Sequence, residues 1–83
     1  MKDIDSIRTE DEIAVSIFGP DGSVLYKSTG KGYHNLEMAV NDAISRSQIK
    51  LDPKDCVFEV SNLDTGVTHR YRLNAHGHLK LII

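Results

Sequence analysis

Four histidines (His34, His69, His76 and His78) and one cysteine, Cys56, are the side chains here best suited to hold a metal or carry a nucleophilic reaction. His76-Gly77-His78 puts two imidazoles in one turn, and an antiparallel strand pair across that turn brings His69 towards them. Structural zinc requires four such ligands, and catalytic zinc three plus a water. The chain has neither a Cys-x-x-Cys pair nor a His-Glu-x-x-His run. His76 and His78 are therefore read as polar turn residues and His69 as a half-buried strand residue, and no metal or cofactor is expected. A nucleophilic cysteine needs a histidine and a third group to orient it. Cys56 instead opens an apolar strand in register with Phe58 and Val60, the setting of a buried structural thiol.

Gly30-Lys31-Gly32 precedes the clearest helical segment, and helix N-termini attract anions. The P-loop spacing and the three-glycine dinucleotide fingerprint are both missing, so the two glycines are read as serving the change of direction from strand to helix. Asp52 and Asp55 flank Pro53-Lys54 and are assigned capping and turn duties. No Gly-x-Ser-x-Gly elbow and no pair of carboxylates with opposed environments is present. An enzyme is not expected.

The elements that must position these residues follow from periodicity. Ile13, Val15 and Ile17 alternate with Ala14, Ser16 and Phe18, a half-buried strand. Gly19-Pro20-Asp21-Gly22 is a turn, because proline presets φ and glycine accepts positive φ. A second strand over residues 23–28 completes a hairpin. Leu36, Val40, Ala43, Ile44 and Ser47 then form one helical stripe, with Asn35 as its N-cap. Glu37, Asn41, Asp42, Arg46 and Gln48 lie on the opposite, solvated face, and the helix ends near Gln48. Three strands follow, over residues 56–61, 67–74 and 78–83, with turns at Asn62–Gly66 and Asn74–Gly77. The order is β-β-α-β-β-β, which predicts an α+β fold: a two-layer sandwich with one helix on one face of a mainly antiparallel sheet. The expected core is Ile13, Val15, Ile17, Leu36, Val40, Ala43, Ile44, Phe58, Val60, Tyr71, Leu73, Leu79 and Leu81. Residues 1–11 are read as a loosely ordered acidic arm and residues 12–83 as one domain.

With Tyr71 and Leu73 turned to the helix, Thr68, Arg70 and Arg72 face outward together, joined by Lys80 and Ile82 from the last strand. Lys27 joins them if the second strand faces that way, and Tyr26 or Phe18 would supply the aromatic surface. These residues are the candidate partner surface. Charge follows the same division: residues 1–12 hold five acids and two bases, residues 66–83 three bases and no acid. End-to-end asymmetry of this kind marks partner surfaces. The net charge of −2 over 83 residues argues against a general polyanion binder.

The apolar fraction of 40% suits one thin core rather than disorder. The opening residues lack an apolar signal region and no segment approaches a membrane span. Together with the unpaired cysteine, this places the expectation in a reducing cytoplasm without membrane association. The resulting reading is a small cytoplasmic, non-enzymatic domain that binds another protein or itself. Self-association is expected through the C-terminal strand, where Leu79-Lys80-Leu81-Ile82-Ile83 carries more apolar surface than one helix can cover. The alternative is an accessory nucleic-acid-binding protein using Arg70, Arg72 and Lys80. A small enzyme using His76 or His78 for acid–base work forms the third class.

Overall fold

A computed structural model describes residues 7–82. Strand β1 (Ile13–Phe18) buries Ile13, Val15 and Ile17 and leaves the alternate residues half-buried. The next turn is held by Asp21, whose Oδ1 accepts from the Ser23 amide at 3.0 Å and hydroxyl at 2.7 Å, and by Gly22 at φ 86°. Strand β2 (Val24–Gly30) returns antiparallel, with a bulge where Ile17 and Phe18 meet it. Helix α1 (Leu36–Ser47) begins at Asn35, whose side chain accepts from the Met38 amide, and stops at Gln48 in the left-handed region at φ 53°. A single 3-10 turn over Pro53–Asp55, capped by Asp52, leads into β3 (Val57–Asn62), β4 (Thr68–Leu73) and β5 (Leu79–Leu81).

The strands lie in the order β2-β1-β3-β4-β5, every neighbouring pair antiparallel. Helix α1 packs against β1 and β2. The chain is thus an α+β domain of the expected order, with the helix on one face of a five-stranded sheet. The helix sits towards one side, with its main contacts on β1 and β2, and the 3-10 turn lies against β4. That offset corrects part of the expected core. Ile13, Val15, Ile17, Val40, Ala43, Phe58, Val60 and Tyr71 are buried, whereas Leu36, Ile44, Leu73, Leu79 and Leu81 are only partly so. Ile7, Ala39 and Cys56 complete the buried cluster.

Of the acidic arm expected over residues 1–11, residues 1–6 lie outside the described residues. Residues 7–11 pack onto the domain: Ile7 is 6% exposed within the core cluster, and the Thr9 carbonyl accepts from the Tyr33 amide. Their main anchor is Asn62, which is 1% exposed. Its Nδ2 donates to the Arg8 carbonyl at 3.0 Å and to Asp11 Oδ2 at 3.1 Å. Its Oδ1 accepts from the amides of Asp64 at 2.8 Å and Thr65 at 2.9 Å. A residue assigned to the turn by sequence is thus the buried peg between the β3–β4 turn and the N-terminal segment.

Two further expectations are corrected around Tyr33. Gly32, at φ 79°, does turn the chain, but Gly30 is the last residue of β2. A Cβ on Gly30 would collide with the Tyr33 hydroxyl, so the missing side chain makes room for the ring. Asp42 is not merely solvated: it accepts from the Tyr33 hydroxyl at 2.8 Å and from Arg46 Nε at 3.1 Å. Glu37, on the same face, accepts from His78 Nδ1 at 3.1 Å and from the Leu79 amide at 3.3 Å.

This cluster sets a pH dependence. The bond from Tyr33, followed by that from Arg46, holds the Asp42 carboxyl below its ordinary value. Burial, followed by the bond to Asp42, pushes the Tyr33 phenol above its own. A lowered carboxyl stabilises the fold fully above its unfolded value of about 3.9, and the contribution disappears as pH falls through the folded value. A raised phenol contributes fully below about 10, and that contribution disappears as pH rises through its folded value. Urea unfolding across pH is therefore expected to show both an acid and an alkaline limb, each flatter in Tyr33→Phe and in Asp42→Asn. Limbs of unchanged steepness in both variants would mean that the cluster does not couple to folding.

Candidate functional site

The face of the sheet away from α1 is open. Alternation along each strand places Ser16 and Phe18 of β1, Val57 and Glu59 of β3, and Thr68, Arg70 and Arg72 of β4 on that face. Lys27 stands opposite Ser16, Ser16 opposite Glu59, and Glu59 opposite Arg70, so these four residues form one row across four strands. Lys27 thus belongs to the face. Of the two aromatic candidates, Phe18 lies on it, while Tyr26 pairs with buried Ile17 on the helix side.

The five candidate partner residues are brought together here. Thr68 shares a hydroxyl hydrogen bond of 2.8 Å with Ser61. Arg70 lies with its guanidinium carbon 5.6 Å from the centre of the Phe18 ring, a cation–π arrangement. Its Nε is also 3.5 Å from the Glu59 carboxylate, an exposed pair of small energetic worth. Arg72 stands directly opposite Lys80 on β5, and neither has an ion-pair partner among the described residues. The Ile82 amide donates to the Arg70 carbonyl at 2.9 Å, which puts Ile82, 38% exposed, beside Arg70 on the same face.

Between these groups is a depression of about 200 Å³. It is lined by Phe18 and Val57, by Arg70 and Arg72, and by Gly19, Pro20 and Gly22 of the turn. Two guanidinium groups lining one depression with Phe18 and Val57 suit a ligand that joins an anionic group to an apolar or flat body. Val57 and the turn were not assigned to the site from sequence. Alternation puts Val57 opposite Phe58, but the β1–β3 register that seats it next to Phe18 has no local signal.

The other candidates take structural roles. Cys56 is buried and its thiol contacts the Asp52 carbonyl at 3.8 Å. Burial, followed by the charges of Asp55 and Asp52, pushes its pKa above the ordinary thiol value, the opposite of what a thiolate nucleophile needs. His76 lies in the β4–β5 turn, where its amide donates to Asn74 Oδ1 at 2.9 Å. His69 packs edge-on to Tyr71, with ring centroids 6.4 Å apart, and its Nε2 is buried without a hydrogen-bond partner among the described residues. No group of three or more His, Cys, Asp or Glu side chains there is arranged to hold a metal ion. No helix among the described residues is long and apolar enough to cross a membrane. No family model, curated protein or solved structure matches the chain.

Proposed function

We propose that the chain is a non-enzymatic binding domain of the cytoplasm that takes an acidic partner protein on the open face of its sheet. The observation that carries this reading is the pairing of Arg72 with Lys80, two cations without an anionic partner among the described residues, with Arg72 lining the depression that also holds Phe18 and Val57. Charge that the domain leaves uncompensated is available to a partner, where complementarity governs on-rate and specificity. Flat apolar area next to it supplies the anchoring surface that charged contacts alone lack.

The test is capture on the immobilised domain, followed by reconstitution with the purified captured protein. Arg70→Glu combined with Arg72→Glu is expected to weaken the complex by at least about tenfold, or 1.4 kcal/mol, and Phe18→Ala to weaken it as well. Both substitutions lie on the open face, so circular dichroism and melting should show a folded domain. Equal affinity for the wild type and the double variant overturns the reading. A second reading, nucleic acid, is favoured by the half-buried Phe18 ring with Arg70 over it on the open face. Retention of a thymidine oligonucleotide, with log affinity falling steeply against log salt, would support it in place of the first.

A further inference from the structure

We infer that the free edge of β5 is a docking site for an extended segment of the partner protein, which adds to the sheet as a sixth strand with acidic side chains on the open face and apolar ones on the helix face. This rests on the reading of the chain as a protein-binding domain and specifies how the partner is held.

The ladder at this edge can be read from two bonds and the register. The Asn74 amide donates to the His78 carbonyl, and the Ile82 amide donates to the Arg70 carbonyl. In an antiparallel pair, hydrogen-bonded and non-bonded residue pairs alternate. With Arg72 opposite Lys80, residues 78, 80 and 82 therefore turn their backbone groups inward to β4, and Leu79 and Leu81 turn theirs outward. β5 is the last strand in the sheet order, so those outward groups point away from every other strand. The Leu79 amide is capped by the Glu37 carboxylate from the first turn of α1. Among the described residues the Leu81 amide and the Leu79 and Leu81 carbonyls have no partner, and they remain for a guest.

The opposite edge is built differently. There the open-face cation of β2, Lys27, has Ser16 as its cross-strand neighbour and not a second cation. At β5 the side chains favour a particular guest. On the helix face, Leu73, Leu79 and Leu81 are only partly buried, because α1 lies over β1 and β2 instead. Apolar residues of a sixth strand would extend that cover. On the open face, Lys80 and its cross-strand neighbour Arg72 would face the alternate residues of the guest, and opposite charges directly across a sheet are favourable. A second copy of this chain fits less well, since two such edges would bring Lys80 and Arg72 against their own kind. The required guest thus alternates acidic and apolar residues. It is held by main-chain bonds, and its sequence is selected by side chains, as in other strand-addition complexes.

The test uses a synthetic peptide of alternating glutamate and valine, titrated into ¹⁵N-labelled full-length protein, with a lysine–valine peptide as its counterpart. Expected is saturable movement of the Leu79 to Ile82 amides and their β4 partners with the glutamate peptide and not with the lysine one. Lys80→Glu should weaken binding several-fold. Leu81→Pro should abolish it without disturbing β4, because the lost N–H points away from the ladder and proline is tolerated at such edge positions. Lys27→Glu, at the far edge, should not weaken it. Equal response to both peptides, movement centred on Lys27 and Thr29, or no response at millimolar peptide overturns the inference. A mass that grows with protein concentration, with the same β5 amides moving in the absence of peptide, assigns the edge to a second copy and also overturns it. Movement confined to Phe18, Arg70 and Arg72 removes the edge docking while leaving the open-face reading in place.

Discussion

Phe58→Ala is expected to lower the unfolding free energy by about 3–5 kcal/mol, out of the roughly 5–15 kcal/mol that domains possess. Phe58 is fully buried on β3 and stands between Ile17 of β1 and Tyr71 of β4. Truncation there removes the transfer energy of the ring and leaves a cavity at the centre of the sheet. The strands on both sides are tied by backbone ladders, so they cannot close in to fill it. In urea the midpoint should fall sharply, and the folded population should be depleted at physiological temperature. Glu59→Ala, one residue on but facing the open side, is the control: it loses only an exposed pair with Arg70 and should change little. A Phe58→Ala protein with the wild-type melting curve would be incompatible with this placement of β3.

The second large effect is expected at Asn62. Asn62→Leu keeps the number and branching of the side-chain heavy atoms, with bulkier methyl groups, but removes both donors to Arg8 and Asp11 and the acceptor for the amides of Asp64 and Thr65. Each buried group left without a partner costs about 1–3 kcal/mol, so a total of about 2–4 kcal/mol is expected once partial access to water is allowed for. The loss should be local as well as global. The Tyr33 amide, which donates to Thr9, should exchange with solvent faster as residues 7–11 loosen. Wild-type stability in Asn62→Leu, with unchanged exchange at Tyr33, would mean that water replaces the asparagine without cost.

Much of this was legible in the sequence, for identifiable reasons. Strand alternation from Ile13 to Phe18, the Asn35 cap and the turns at Gly22, Gly66 and Gly77 are local signals, and each glycine has positive φ in the structure. The outward grouping of Thr68, Arg70, Arg72 and Lys80 follows from alternation once Tyr71 is turned inward. The order of the strands had no such signal, because β1 pairs with β3 across 38 intervening residues, 19–56. Everything that depends on that seam was missed: Val57 beside Phe18, the row from Lys27 to Arg70, and Asn62 beneath the N-terminal segment. The sequence places Glu37 and Asp42 on a solvated face because a helical wheel shows which face is polar and not what reaches it from elsewhere. Their partners, His78 and Tyr33, come from outside the helix. Ile7 was hidden by the five acids of residues 1–12.

The β1–β3 seam is the only pairing among the described strands made by elements that are not consecutive in the chain. Its formation closes a long loop, whereas the other three pairings close over tight turns. For a flexible loop each doubling of length adds only about 0.6 kcal/mol of closure entropy. The tight turns are intolerant in a different way, since Gly22, Gly66 and Gly77 must hold positive φ for the strands to stay in register. Extra residues are thus cheap in one stretch, the exposed Lys50–Asp52 connection between α1 and the 3-10 turn, where the chain lengthens without shifting any strand against its neighbour.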